Sequence, residues 1–294
     1  MTSSEIESFL AVCRYKTVSL AAERLHITQS SLSIRLKTLE KELGGELFYR
    51  RKGSRSMTLT AAGKQFYDLA IQYEALMKQM QQVCQKTPAV LRVSSLNSVD
   101  TFLLPAVYEL FLQRYPDMNL ELQDMDYTAA SVSIQNGDTD LAFTSTMKIN
   151  ENLKKTMAFV EPMVLISSVK DWEEPVRKEM LSLRNEVYIG WSSQFEQWHQ
   201  ETFGHAHPQL SVSIMLHLQK FMEREKYWTI VPISVAKGLE KTCSIYRLET
   251  DFPLPKREMS IVSAANKPDN AATLAFYDCL REVLAAYPEI ETKI

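Results

Sequence analysis

Ala21-Ala22-Glu23-Arg24-Leu25-His26-Ile27-Thr28-Gln29-Ser30-Ser31-Leu32-Ser33-Ile34-Arg35 is the stretch that decides how this 294-residue chain is read. Ala21, Ala22 and Glu23 are strong helix formers, and Thr17 ahead of them is a suitable N-cap, so a helix is predicted over Ser19–Leu25. His26-Ile27 forms a short connection to Thr28, a second N-cap residue. The next helix, Gln29–Leu43, carries Leu32, Leu36, Leu39 and Leu43 on one stripe and stops at Gly44-Gly45. Two short helices joined by about three residues have helix-turn-helix spacing.

On the N-terminal side, Ile6, Phe9, Leu10 and Cys13 recur at helical spacing and predict an amphipathic helix over Ser4–Arg14. On the C-terminal side, Leu47-Phe48-Tyr49 and Met57-Thr58-Leu59 flank the basic tip Arg50-Arg51-Lys52-Gly53-Ser54-Arg55-Ser56, as expected of a β-hairpin wing. Thr60 then caps a long helix to about Gln85. Its apolar positions Phe66, Leu69, Tyr73, Leu76, Met80 and Val83 alternate steps of three and four, a heptad seam of the kind that pairs helices. Packing on its own domain is the alternative; the polar, Gln-rich remainder of the segment favours pairing, and these six are the expected dimerisation residues.

After Lys86-Thr87-Pro88 the periodicity changes. Short strands are predicted at Leu91–Ser94, Leu120–Leu122, Leu141–Thr144, Met163–Ser167, Val187–Trp191, Val212–Met215, Trp228–Val231, Ile245–Leu248 and Met259–Val262. Helices are predicted at Phe102–Arg114, Ala129–Gln135, Gln194–Phe203, Leu216–Glu225 and Ala271–Tyr287. Strands alternating with helices mean an α/β body with a largely parallel sheet, either single or split in two around a cleft.

Charge divides at the same place. Residues 1–86 carry 13 Lys+Arg against 8 Asp+Glu, and residues 87–294 carry 20 against 28, so a net −3 conceals a basic head and an acidic body. Seven basic residues against three acidic ones fall within Arg35–Arg55. With 45% hydrophobic and 23% charged residues the composition is globular. The apolar runs fall far short of the roughly 20 residues that span a bilayer, so no membrane partner is expected. The start, Met1-Thr-Ser-Ser-Glu-Ile-Glu, has neither the basic opening nor the apolar core of a signal peptide. Cys13, Cys84, Cys243 and Cys279 lie far apart, which fits a reducing cytoplasm and neither a zinc site nor a disulfide framework. His199, His205, His207 and His217 lack ligand spacing, so no metal and no cofactor are expected. Without G-x-S-x-G, P-loop or G-x-G-x-x-G, and with eight glycines, an enzyme is not expected.

The block Ala21–Ser33, then Leu39-Glu40-Lys41-Glu42-Leu43-Gly44, Leu47-Phe48, Arg50 and Leu59-Thr60-Ala61-Ala62-Gly63, resembles the LysR-type transcriptional regulators in order and spacing. Leu103-Leu104-Pro105, Phe111, Arg114-Tyr115-Pro116, Gly137-Asp138, Asp140-Leu141-Ala142 and Val231-Pro232 are similar to the effector domain of the same family, so the resemblance spans the chain. It implies an α/β multidomain fold: a winged helix-turn-helix over 1–60, a linker and dimerisation helix over 61–87, and a two-lobed, periplasmic-binding-protein-like effector domain over 88–294. One lobe would comprise about 90–164 plus 265–294 and the other about 165–264, joined by crossover strands. The implied partners are double-stranded promoter DNA, a small organic effector between the lobes, a second copy or more of the chain (homodimer or homotetramer), and RNA polymerase.

A recognition helix reads base edges from its first turns. Thr28, Gln29, Ser30, Ser31, Ser33 and Arg35 occupy those turns here, with Thr28 divided between reading and capping. The family commonly has Pro where Ser30 stands and Arg where Ile34 stands. Arg50, Arg51, Lys52 and Arg55 suit phosphates and a narrow minor groove, although Arg50 beside Leu47-Phe48 could instead pin the wing. In the effector domain, strand Leu91–Ser94 feeds a loop, Ser95–Asp100, then a helix. That places Asn97 and Ser98 at a strand's carboxyl end, where α/β proteins hold ligands. Thr144-Ser145 and Trp191-Ser192-Ser193 leave other strands in the same manner and complete the expected effector site. Cys243, near Lys237 and Lys241, is the mild candidate for a thiol sensor.

Overall fold

The structure is a computed structural model that describes residues 1–49, 57–82, 89–145, 152–205, 208–224 and 226–294. The chain divides near residue 87 into two compact units.

In the first unit, α1 (Ser3–Tyr15), α2 (Val18–Arg24) and α3 (Gln29–Leu43) precede β1 (Phe48–Tyr49), β2 (Thr58–Leu59) and α4 (Ala61–Gln82). Each start has a chemical reason. Thr2 and Glu5 form a capping box on α1, the Thr17 hydroxyl accepts from the Leu20 amide, and the Thr28 hydroxyl accepts from the Ser31 amide. Gly44 ends α3 at φ 71°, the left-handed conformation that glycine adopts without a Cβ penalty. Ile6, Phe9, Leu10 and Cys13 of α1 and Leu32, Leu36 and Leu39 of α3 are all buried, whereas Leu43 at the end of the predicted stripe is exposed. Phe9 anchors this core, with its ring centroid 5.2 Å from that of Phe48 and 4.9 Å from that of Phe66. β1 and β2 pair antiparallel, Phe48 opposite Leu59, and form the root of the wing. A Cβ on Gly63 would lie 2.0 Å from the Leu47 carbonyl oxygen, so only glycine lets α4 start against that root.

The second unit runs β3 (Ala89–Ser95), α5 (Asn97–Phe102), α6 (Leu104–Arg114), β4 (Met118–Asp124), α7 (Tyr127–Gln135), β5 (Leu141–Thr144) and β6 (Leu153–Ser167). It continues through β7 (Val187–Tyr188), α8 (Ser193–Phe203), β8 (Leu210–Ser211), α9 (Met215–Met222), β9 (Trp228–Pro232) and α10 (Ile233–Leu239). It ends with β10 (Tyr246–Leu248), β11 (Lys256–Ala264), α11 (Ala271–Ala285) and β12 (Glu291–Thr292). The 15-residue β6 organises all of it. Its first part pairs antiparallel with β11, from Leu153–Ala264 to Pro162–Lys256, and its second part pairs with β9 and β10 over Met163–Ser167.

Two cores follow from that division. Leu91, Leu104, Phe111, Phe159, Met259, Ile261 and Phe276 fill the first, and Leu165, Trp191, Met215, Leu218, Trp228 and Val231 fill the second. The body is two-lobed, as the resemblance implies. Because β11 places Met259 and Ile261 in the first core, apolar packing changes lobe close to Pro255.

Several elements differ from expectation. Among the described residues only β3–β4, β3–β5 and the small β7–β8 pair run parallel, so the sheet is mixed, not largely parallel; β6 and β11 enter it as antiparallel crossovers. Ser95–Asp100 is not a loop, since α5 begins at Asn97 one residue after β3. Phe102–Arg114 is broken at Leu103, with Pro105 in the first turn of α6. Val212–Met215 is not a strand; the Met215 amide is held by Asn97 Oδ1 at 2.9 Å, which starts α9 there. Strand Leu153–Pro162 and α10 were not anticipated. The former is buried on both faces in parts and lacks alternation, and the latter follows directly on Val231-Pro232 in a mostly apolar stretch with no polar N-cap residue to mark its start.

Candidate functional site

The apolar stripe of α3 points inward, so its opposite face is free. Gln29, Ser30, Ser31, Ile34, Lys37, Thr38 and Lys41 are exposed there, while Ser33 and Arg35 are half-buried. The Thr28 hydroxyl lies 2.9 Å from that of Ser30 and 2.8 Å from that of Ser31 while it also caps the helix, so these first-turn hydroxyls are largely engaged with one another. Arg35 turns towards α1, with Nη1 3.5 Å from the Ser8 hydroxyl. Ile34, Lys37 and Thr38 do not figure in the expectations from sequence. Their signal was available: they follow Ser30 and Ser31 at steps of three and four, out of phase with Leu32, Leu36 and Leu39.

The wing tip residues Arg50, Arg51, Lys52 and Arg55 lie outside the described residues. The root beside them is tied to α3 by the buried Glu40 carboxylate, which accepts from the Leu47 and Phe48 amides at 3.0 and 3.4 Å. Thr60 donates to the Glu46 carbonyl at 2.7 Å, closing the other side.

On α4 the predicted seam divides. Phe66 packs edge-on to Phe9, and the Tyr73 hydroxyl is 2.7 Å from that of Ser3, so these two serve the unit's own core. Leu69, Leu76 and Met80 are 62%, 54% and 59% exposed and form an apolar row left open among the described residues. Val83 lies outside the described residues. Phe66 and Tyr73 are separated from that row by helical phase, because Ala70 and Ile71 turn inward beside them.

The second unit concentrates its buried charge where β6 and β11 pass from one core to the other. Arg257 donates from Nε and Nη2 to Glu161 Oε1 at 2.9 and 2.5 Å and from Nη1 to the Ser98 hydroxyl at 2.9 Å. The other Glu161 oxygen accepts from the Ser234 amide at 3.1 Å. The guanidinium also lies 5.4 Å from the centroid of the Trp191 ring, a cation–π contact, and the indole donates to the Ile230 carbonyl at 2.8 Å. Glu161, Arg257, Ser98, Trp191 and Ser234 are all buried.

Of the expected effector residues, the structure brings Asn97, Ser98, Ser145 and Trp191 to this junction. Ser145 donates to the Trp191 carbonyl at 3.3 Å, and Asn97 reaches α9. It does not bring the others there in the same way. Thr144 is buried in β5 opposite Ser260, the Ser192 hydroxyl caps α8 at the Phe195 amide, and Ser193 is exposed on that helix. Asp100 is turned to α6, where the Ser95 and Tyr108 hydroxyls donate to it at 2.8 and 2.7 Å; burial, then this carboxylate, raises the Tyr108 phenol. Glu161 and Arg257 escaped the sequence reading. Arg257 sits in the charged run Lys256-Arg257-Glu258 and looks solvated, whereas Glu161 in Val160–Ile166 is a lone charge in an apolar strand, which was the legible sign.

Burial pushes the Cys13 thiol up to about 12 and also raises Cys243 and Cys279, the reverse of what a thiolate sensor needs. Cys84 and His207 lie outside the described residues. His199 is buried with Nε2 2.9 Å from Glu186, whose carboxyl is raised by burial against the opposing pull of the imidazole. Among the described residues no three His, Cys, Asp or Glu side chains come together as a metal site.

Comparison with known proteins places these features. Residues 4–64 match the bacterial regulatory helix-turn-helix family model of the lysR family, and residues 85–285 match the LysR substrate binding domain. The regulator YofA of Bacillus velezensis is 32% identical over 174 residues, 58% of this chain and 60% of that protein. The regulator YtlI of Bacillus subtilis is 30% identical over 194 residues, 64% of this chain and 62% of its own length. The chain thus spans about three-fifths of the length of these relatives. In fold it is similar to a full-length OxyR variant of Pseudomonas aeruginosa, with TM-score 0.67 at 20% identity over 96% of this chain and 95% of that one. It is similar also to LysG of Corynebacterium glutamicum with its effector Arg bound, with TM-score 0.65 at 14% identity over 97% and 99%. CbnR in complex with its target DNA gives TM-score 0.61 at 20% identity over 96% and 100%. Both domain models match in the order and at the positions that the helices, the wing root and the two lobes occupy, and the chain belongs to the LysR family of bacterial helix-turn-helix regulators.

Proposed function

We propose that this protein is a cytoplasmic, sequence-specific transcriptional regulator. Its residues 1–60 hold duplex promoter DNA, its helix over 61–87 pairs with a second copy, and its residues 88–294 bind a small organic effector between two lobes. The observation that carries this reading is the free face of α3, hydrophilic but for Ile34 and lysine-bearing, set beside a basic wing sequence. That CbnR was solved on its target DNA and LysG with Arg as effector supports both ends of the proposal. No described helix is long and apolar enough to cross a membrane, which fits a DNA-bound protein.

Within the DNA-binding unit, Thr28, Gln29, Ser30, Ser31 and Ser33 would face the major groove, and Arg50, Arg51, Lys52 and Arg55 the phosphates. Arg35 contributes from the edge of that face because it leans on Ser8. Leu69, Leu76 and Met80, with Val83 in the same phase, would form the pairing row, and RNA polymerase would be engaged by the assembled oligomer. In the effector domain, the buried Ser98 would be the ligand's contact at the junction of the lobes. Its hydroxyl already accepts from Arg257, so a ligand there either shares or displaces that guanidinium and is felt at Glu161 and α10. Coupling between effector and DNA would start from that exchange.

Selection from random duplexes with the full chain should enrich one motif with two related half-sites, and affinity for it should fall as salt rises. Enrichment of no motif would refute sequence-specific binding. Leu69→Glu with Leu76→Glu should convert the oligomer to smaller species in sedimentation, and an unchanged sedimentation coefficient would refute α4 pairing. A metabolite screen by melting shift should find a compound that stabilises the wild type by about 2.7 kcal/mol at a hundredfold excess over its Kd. The same compound should shift Ser98→Ala far less; an equal shift would remove Ser98 from the effector site.

A further inference from the structure

Ile34 is 64% exposed at the centre of the free face of α3, with Ser30 and Ser31 one turn before it and Lys37 and Thr38 one turn after. Nothing in the unit requires an isoleucine there. The core of α3 is filled by Leu32, Leu36 and Leu39, and helix propensity gives no preference for isoleucine over the lysine, glutamine or arginine of the same helix. Thr38 folds its hydroxyl back onto the Ile34 carbonyl at 3.0 Å, so the side chain stands as an apolar knob on a hydrophilic face. The polar readers beside it are partly spent, since Thr28, Ser30 and Ser31 bond one another and Arg35 leans on Ser8.

In the major groove the 5-methyl of thymine is the one apolar protrusion that a base edge presents, and a branched aliphatic side chain is its natural contact. Lysines 37 and 41 on the same face supply the charge that draws it to a phosphate-lined groove. We propose that Ile34 is a specificity-determining residue that reads the methyl group of a thymine within each half-site of the operator. This rests on the DNA-binding reading given above and adds to it the chemical identity of one base position.

Deoxyuridine differs from thymine only by that methyl group, so it isolates the contact. In the operator duplex selected by the full chain, each thymine is replaced in turn by deoxyuridine and Kd is measured by fluorescence anisotropy for the wild type and for Ile34→Ala. One thymine per half-site should bind the wild type three- to fivefold more weakly once its methyl is gone, the worth of burying about one methyl-sized group. Ile34→Ala, whose melting temperature should match the wild type because the side chain is exposed, should bind the thymine and deoxyuridine duplexes alike at that position. Indifference of the wild type to every substitution, or an equal discrimination in Ile34→Ala, would overturn the inference while leaving DNA recognition intact. Failure of the chain to select any duplex would instead overturn the DNA-binding reading and this inference together.

Discussion

The effector domain depends on one buried ion pair, Arg257 with Glu161. A lone guanidinium or carboxylate sealed from water costs several kcal/mol, so neither residue is tolerable there without the other. They sit at the step where β6 leaves the first core and enters the second, and their hydrogen bonds run outward to Ser98 on α5 and to the amide that opens α10. Register between β6 and β11, with Arg257 opposite Glu161, is therefore specified by charge as well as by apolar alternation. Trp191 adds an aromatic face from the second lobe, 5.4 Å from the guanidinium. Ser98 is thus joined by hydrogen bonds through Arg257 and Glu161 to the start of α10.

The DNA-binding unit obeys the same constraint on a smaller scale. Glu40 is buried at the end of α3 and is tolerated because it accepts from the amides of Leu47 and Phe48. Glu40 thereby ties β1, at the root of the wing, to the end of α3. Everything apolar on α3 except Ile34 and Leu43 is consumed by the core around Phe9, which leaves the opposite face largely polar.

Much of this was legible in the sequence, for physical reasons that differ by region. Helix α1 was readable from its 3.6-residue periodicity, and α2 and α3 from their caps, Thr17, Thr28 and Gly44. The lobes were less so. Ser98 could be placed from its position after a strand's carboxyl end, but its partner is 159 residues away, and no local pattern announces a contact that β11 alone creates. The apolar seam of α4 was half legible: heptad spacing finds apolar residues, but it does not say which pack inward, and Phe66 and Tyr73 do. The wing cluster Arg50, Arg51, Lys52 and Arg55 lies outside the described residues, so its part in DNA binding rests on sequence.

A double-mutant cycle on Glu161→Leu and Arg257→Met in the full chain tests the central interaction most directly. All four tryptophans, Trp172, Trp191, Trp198 and Trp228, lie in the second lobe, so their fluorescence follows its denaturant unfolding without a signal from the DNA-binding unit. Each single substitution should destabilise the lobe by about 3–5 kcal/mol, and the double variant should recover most of that loss, because no buried charge then lacks a partner. Additive losses in the double variant would contradict the dependence of the two lobes on this pair.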